Sequence, residues 1–371
     1  MICRTIALVI SVLSTPVFAE QAGTPLYGND RWYMISAEKY LSAGVALGDI
    51  DQDGDIDLVE NNGRHWAQPS YVYFNANGRG FTSRTQLGAI ERTGYTALLA
   101  DMDNDGDLDI VASSDRLENQ VYYNDGKGKY SEPYLFGAIS SNTRSLTVVD
   151  INKDGFTDVL EVSRGTPNYI FLNDGKGQLL TPIPFGASSD RTLAVVAYDM
   201  DMDGVLDLVL ANRDGQKNTI LKGQSGLVFR EVAPFDDNMN DTRGVAVGDM
   251  NGDGLPDIVT ANVGEENAVF LNKGDNRFEK AMLFGEAKGR SFALKLYDLD
   301  GDIDLDVVIA NDRGINSVYL NDSKGHLSRN AEFGSEQERT YALDIADINQ
   351  DGKPDIIVVN SGSGNKIYYQ Y

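Results

Sequence analysis

The sequence predicts an all-β fold: a seven-bladed β-propeller of four-stranded blades, its ring closed by an N-terminal strand. Three observations predict it. Acidic clusters begin at Asp49, Asp101, Asp150, Asp199, Asp249, Asp298 and Asp347, a spacing of 49 to 52 residues. Within each unit, short β-rich runs alternate with Gly, Asn and Asp turns. Helical periodicity is absent throughout. Repeats of this length with four strands each cannot bury their faces alone, and they do so by stacking around an axis.

The elements follow in chain order. Residues 1–19 read as a secretory signal peptide. Arg4 gives a positive start, Thr5–Ser14 is mainly apolar, and Val17 and Ala19 stand at positions −3 and −1 of a cleavage site. The apolar run is too short to span a bilayer comfortably. The remaining residues, 20–371, form the propeller, with no transmembrane segment. Arg31–Ser36 lies at the offset where other units carry their fourth strand, and the last unit stops at Tyr371 after its third. The N-terminal strand is therefore expected to complete the seventh blade, which removes two open sheet edges.

Each unit opens with an apolar run such as Tyr95–Ala100 or Leu193–Tyr198, which leads into the acidic loop. A second run follows, such as Asp109–Ala112 or Asp355–Val359. A third, such as Asn119–Asn124 or Asn316–Asn321, ends in an Asn/Asp/Gly turn. The fourth often closes on Phe-Gly, as at Phe136-Gly137, Phe185-Gly186, Phe284-Gly285 and Phe333-Gly334.

The acidic loops are nine residues long and read D-I-D-Q-D-G-D-I-D at 49–57 and D-I-N-Q-D-G-K-P-D at 347–355. Together the seven hold 28 of the 56 acidic residues. Such packing repels itself unless a cation compensates it. Hard oxygen donors at alternating positions suit Ca²⁺. Glycine at position 6 lets the backbone turn through a conformation that a Cβ opposes. The sixth loop departs from this pattern, with Ile303 at position 6 and Gly301 displaced to position 4.

The acidic loop and the later Phe-Gly, repeated in register from about residue 30 to 371, resemble the FG-GAP/VCBS repeat family, whose integrin-α-like propellers bind calcium. The resemblance implies calcium ligands at loop positions 1, 3, 5 and 9. These are Asp49, Asp51, Asp53 and Asp57; Asp101, Asp103, Asp105 and Asp109; Asp150, Asn152, Asp154 and Asp158; and Asp199, Asp201, Asp203 and Asp207. The remaining loops supply Asp249, Asn251, Asp253 and Asp257; Asp298, Asp300, Asp302 and Asp306; and Asp347, Asn349, Asp351 and Asp355. Up to seven Ca²⁺ ions are expected, the 298–306 site being the least typical. An EF-hand reading would use Glu60 and Glu161 at position 12, but five loops lack an acid there and the flanks are β-like.

Topology assigns the two faces. The acidic loops and the strand 3–4 hairpins share one. The strand 2–3 loops and the interblade connections share the other, where eleven arginines fall: Arg64, Arg116, Arg164, Arg213 and Arg313 after strand 2, and Arg92, Arg144, Arg191, Arg243, Arg290 and Arg339 before strand 1. Arginine binds carboxylates and sulfates bidentately. Arg191, Arg290 and Arg339 share one offset, eight residues before the first Asp of their loop, and are the candidate ligand site. Acids adjoin many of these arginines, so ion pairing within the rim competes with that reading. His65 and Trp66, in the longer first unit, are further candidates, His65 as an acid or base and Trp66 for stacking on a sugar.

The composition excludes several classes. A formal net charge of −24 argues against nucleic acid or an anionic membrane as partner. Cys3, the single cysteine, lies in the signal segment, so disulfides and Cys-ligated zinc are not expected. No nucleophile elbow, phosphate loop or dinucleotide fingerprint is present. The expected product is a secreted or periplasmic calcium-binding module for a glycan or protein ligand. A polysaccharide lyase acting on a uronic-acid polymer is the alternative.

Overall fold

The computed structural model describes residues 27–28, 34–275 and 277–371. The signal segment at 1–19 lies outside the described residues. Every sheet is four-stranded and antiparallel, and seven of them surround one axis. The first blade comprises Ser42–Gly48, Asp57–Asn62, Gln68–Asn75 and Phe81–Arg92. Blades two to six repeat this order, and no helix occurs among the described residues.

Burial explains why these runs are strands. The second strand of a blade is covered on both sheet faces by its neighbours, and all six residues of Asp57–Asn62, Asp109–Ser114, Asp158–Ser163 and Asp207–Asn212 are buried. Both faces of such a strand must be apolar or internally hydrogen-bonded, which accounts for its Val, Ile and Leu content. The core consequently lies between blades. Met250, Val259 and Val269 of blade five, for example, pack with Val307, Ile309 and Tyr319 of blade six. Fourth strands form the outer edge, and Phe81–Arg92 is exposed over Thr82–Gln86 and Ala89–Glu91, with Leu87 its buried residue.

The seventh blade consists of Thr340–Ala346, Asp355–Asn360, Lys366–Gln370 and the N-terminal strand Tyr27–Gly28. Closure by an N-terminal strand therefore holds, but its pairs differ in position from the expected Arg31–Ser36. Tyr27 pairs with Gln370 and Gly28 with Tyr369. Met34 bridges Lys366, and the Ile35 amide donates to the Asn365 carbonyl at 3.1 Å. Arg31–Tyr33 lie outside the described residues.

Asparagines pin the ring, a role the sequence reading did not assign. At the end of a third strand, the Asn124 Nδ2 amide donates to the Ile50 carbonyl in the preceding blade's loop at 2.8 Å. Asn75, Asn173, Asn272, Asn321 and Gln370 make the equivalent bond. Blade four has Gly223 at this position and makes no such bond.

Candidate metal loops and the axial arginine cup

The seven loops share one internal plan. In five of them the position 1 carboxylate accepts the amides of positions 5 and 6, as Asp49 does from Asp53 at 3.1 Å and Gly54 at 3.0 Å, and in loops five and six it accepts those of positions 4 and 6. Its negative charge thereby folds the loop around itself. Positions 4 and 6 take left-handed backbone, with Gln52 at φ 60° and Gly54 at φ 92°. In the sixth loop Ile303 adopts φ 82° and its amide still reaches Asp298 at 3.1 Å. The departure in sequence thus leaves the turn intact, at the cost of a β-branched residue in a region that disfavours it.

Position 3 carries the observation most relevant to a metal. One oxygen each of Asp51, Asp103, Asp201 and Asp300 is buried without a hydrogen-bond partner. The carboxyls of Asp51, Asp103 and Asp300 are pushed up, first by burial and then by the adjacent Asp53, Asp105 and Asp302. Ligand atoms of Asp49, Asp51 and Asp53 lie within 4.8 Å of one another, as do those of Asp101, Asp103 and Asp109, of Asp199, Asp201 and Asp203, and of Asp298, Asp300 and Asp302. A hard cation fits this donor set. Loops three, five and seven carry Asn152, Asn251 and Asn349 at position 3, whose amides donate to the position 5 carboxylate. In loop four the chain also brings its own cation, Lys222, onto Asp201 and Asp203.

Position 9 has a different job. One oxygen of Asp109 accepts the Met102 amide at 2.9 Å, and the other accepts the Asn124 amide at 2.8 Å. The same pair of bonds recurs at Asp57, Asp158, Asp207, Asp257, Asp306 and Asp355. This carboxylate ties the loop to strands 2 and 3. Burial pushes Asp109 and Asp306 up to about 7 and Asp57, Asp158, Asp257 and Asp355 to about 6. Glu60 and Glu161 lie on second strands, where hydroxyls of Ser42 and of Ser141, Thr143 and Ser163 bind them.

On the opposite face, the first and second strands of every blade share a β-bulge, and the bulged residue stands six before the first loop Asp. In blades three and five it is Arg144 and Arg243, skipped between paired neighbours. In blades two, six and seven it is Tyr95, Phe292 and Tyr341, with Ala43 and Leu193 in blades one and four. Bulges re-aim side chains, and these converge at the mouth of the axial channel. The Arg243 guanidinium lies 4.0 Å from the Phe292 ring centre, Arg64 lies 4.1 Å from that of Tyr341, and Arg144 lies 4.7 Å from that of Tyr95. Together with Arg164 and Arg213 they line a cavity of about 190 Å³.

Arg191, Arg290 and Arg339, the arginines singled out as the ligand site, are not among those lining this cavity. Arg290 and Arg339 both grip Asp312, at 2.6 and 2.7 Å, and Arg191 sits 3.4 Å from Asp214. The three do not meet at one site. The His65 Nδ1 hydrogen-bonds Asp115 at 2.8 Å, and its Nε2 bonds the Tyr95 hydroxyl at 3.0 Å. Trp66, on the same turn, is 71% exposed. His326 is exposed in a hairpin on the loop face, beside Asp322.

Comparison with solved structures agrees with this architecture. The chain is similar to BBS1N in its complex with ARL6DN, with a TM-score of 0.63, 11% identity and coverage of 94% of this chain and 98% of that one. It is similar to the BP39L lectin of Burkholderia pseudomallei, with a TM-score of 0.69, 11% identity and coverage of 89% and 96%. It is also similar to Chaetomium thermophilum Raptor, with a TM-score of 0.63 and 10% identity, covering 94% of this chain and 29% of that one. At these identities the likeness is one of fold. No curated protein matches the sequence. The FG-GAP-like repeat matches six times, over residues 49–112, 101–161, 150–210, 199–260, 249–304 and 298–358. Each match runs from one acidic loop into the next, so the chain belongs to the FG-GAP-like repeat family.

Proposed function

We propose that this propeller is an exported, calcium-stapled binding module whose glycan or protein ligand docks on the arginine face. The observation that carries the reading is the division of labour between the faces. One is occupied by seven self-folded acidic loops, while the other gathers arginines and aromatic rings around the axis. Calcium is supported by the unpartnered position 3 oxygens, and Asp49, Asp51 and Asp53 with their equivalents would hold it. A bound ion would neutralise carboxylates that otherwise repel. That a lectin and a propeller in complex with ARL6DN share the fold is consistent with binding.

A glycan array probed with calcium-loaded protein tests the reading, with candidate protein ligands screened in parallel. Saturable binding that survives mutation of the loop hairpins but not of the arginine face is the expected result. Absence of binding to any glycan or protein would remove it. Export predicts a mature N-terminus at Glu20 in periplasmic or extracellular material.

One observation favours a second reading, a lyase acting on uronate polymers. Asp115, His65 and Tyr95 form a hydrogen-bonded chain beside Arg144. In such a reaction a base removes the proton α to the carboxylate, the electron pair forms a C=C bond, and the glycosidic oxygen leaves with a proton. Appearance of unsaturated uronate absorbance on mixing protein and polymer would establish it.

A further inference from the structure

We propose that the axial cup, together with the rim cavity beside it, is a two-subsite receptor for the oxyanion groups of an acidic glycan. The proposal rests on the binding-module reading above. It assigns the chemistry to residues other than the three arginines selected by sequence offset.

Several guanidinium groups on this face lack a counter-charge. Among the described residues, Arg64, Arg116 and Arg243 have no carboxylate within ion-pairing distance, whereas Arg290 and Arg339 converge on a buried Asp312. Arg243 is stacked between Phe292 and Tyr341. Burial among these rings, with Arg64 and Arg213 nearby, pushes its guanidinium down to about 10, so it stays charged at neutral pH. The Arg64 Nε is buried with no acceptor, although one terminal nitrogen of that guanidinium donates to Ser361 at 2.9 Å. Removing a cation from water without a counter-charge is costly. A chain of net charge −24 that places two unpaired guanidinium groups, Arg64 and Arg243, in the cup and a third, Arg116, in the rim cavity, among arginines that share only Asp115, Asp214 and Asp241, offers an external anion the missing partners.

Two adjoining cavities have room for anionic sugar rings. The cup holds about 190 Å³, the space of about six waters. That admits one carboxylate or sulfate with the ring carrying it. A neighbouring rim cavity of about 270 Å³ is lined by Arg116, Asn142, Arg144, Arg164 and Arg191. The two cavities share Arg144 and Arg164. A ligand with anionic groups on successive rings can fill both.

Acceptors and a flat exposed ring at the cup's edge favour a glycan over an acidic peptide. Guanidinium groups only donate hydrogen bonds, whereas sugar hydroxyls also need acceptors. Asp214 stands among Arg164, Arg191 and Arg213, and Asn142 Oδ1 faces Arg116. The exposed indole of Trp66 follows His65 on the cup's edge, and a flat ring of that kind suits the apolar face of a sugar.

The test is titration calorimetry of the calcium-loaded full chain with oligogalacturonate, its methyl ester, a sulfated oligosaccharide and polyglutamate. Arg243→Gln and Arg116→Gln should each weaken acidic-glycan binding by about tenfold or more, and Arg277→Gln, on an exposed hairpin of the loop face, should leave it unchanged. Arg116 is exposed, so its substitution keeps the test decisive if Arg243→Gln fails to fold. Preference between oligogalacturonate and the sulfated sugar identifies the oxyanion. Several results would overturn the proposal: no binding of either acidic sugar, equal binding of the methyl ester, polyglutamate binding as tight as the sugars, or wild-type affinity in both variants. Binding of a neutral glycan or a protein instead would leave the binding-module reading standing and remove only this site.

Discussion

The two faces of this ring have opposite charge and are held by opposite means. On the loop face, carboxylates are fixed by backbone amides, with both oxygens of every position 9 Asp engaged. On the arginine face, guanidinium groups are fixed by ring stacking and a few shared carboxylates, and several have none. The difference teaches that a charged cluster serves structure when the backbone satisfies it. It stays available to a ligand when it rests on side chains alone.

The loop face should depend most on metal. Chelation with EDTA should lower the melting temperature by about 10 °C or more, since several sites stabilise the folded state together. Binding-face variants such as Arg116→Gln should show nothing comparable in differential scanning calorimetry. An unchanged melting curve in EDTA would mean that the loops are satisfied without a cation.

Next in size is Asp109→Ala. It strips the partner from two buried amides, and we expect a loss of about 3 kcal/mol in denaturant unfolding. The loss should persist in EDTA, because these bonds tie loop to strand whether or not metal is bound.

Acidity sharpens the contrast further. Burial raises Asp109 and Asp306 from the ordinary 3.8 to about 7 in the folded chain. In the metal-free protein the folded state therefore carries more protons than the unfolded state between those values, and stability falls as pH rises through this window. Thermal melts in EDTA should shift upward from pH 7 to pH 5, opposite to ordinary acid denaturation. A downward shift would show that other groups dominate.

Smaller effects come from single residues. Ile303 is 90% exposed and held at φ 82°. Relief of that strain, offset by glycine's greater freedom when unfolded, should make Ile303→Gly more stable by about 0.5–1 kcal/mol in urea unfolding. The smallest expected change is Arg116→Gln, under about 0.5 kcal/mol, since nothing buried depends on it.

The ring was legible because its causes are periodic. The spacing of Asp49, Asp101 and their successors sets blade number, and Tyr27–Gly28 pairs with Lys366–Gln370 to close the ring. The cup was not legible, because it depends on a bulge. Counting offsets selected Arg191, Arg290 and Arg339, which stand two residues upstream of the bulge and reach Asp214 or Asp312 on the rim. The bulge turns Arg144 and Arg243 toward the axis instead. A signal was present in the column six residues before each loop, where two arginines interrupt Ala43, Tyr95, Leu193, Phe292 and Tyr341. The asparagine pins escaped notice because Asn124 and its equivalents also suit a hairpin turn, and sequence alone does not separate the two roles.

Gly223 gives the ring a seam. Six joints between blades are pinned by an amide crossing to the preceding loop, and the joint between blades three and four is not. A side chain cannot simply be restored there, since a Cβ would stand 2.1 Å from the Leu206 carbonyl oxygen. That joint is held by other means: the Lys153 ammonium on the Gly204 carbonyl, Arg164 on Asp214 at 2.7 Å, and the Gly165 amide on the Asp190 carbonyl at 2.9 Å. The rim cavity formed by Arg116, Arg144, Arg164 and Arg191 straddles that joint. A polyanion seated there would bear on the one joint that is fastened without an amide pin, through Arg164, which already spans it to Asp214.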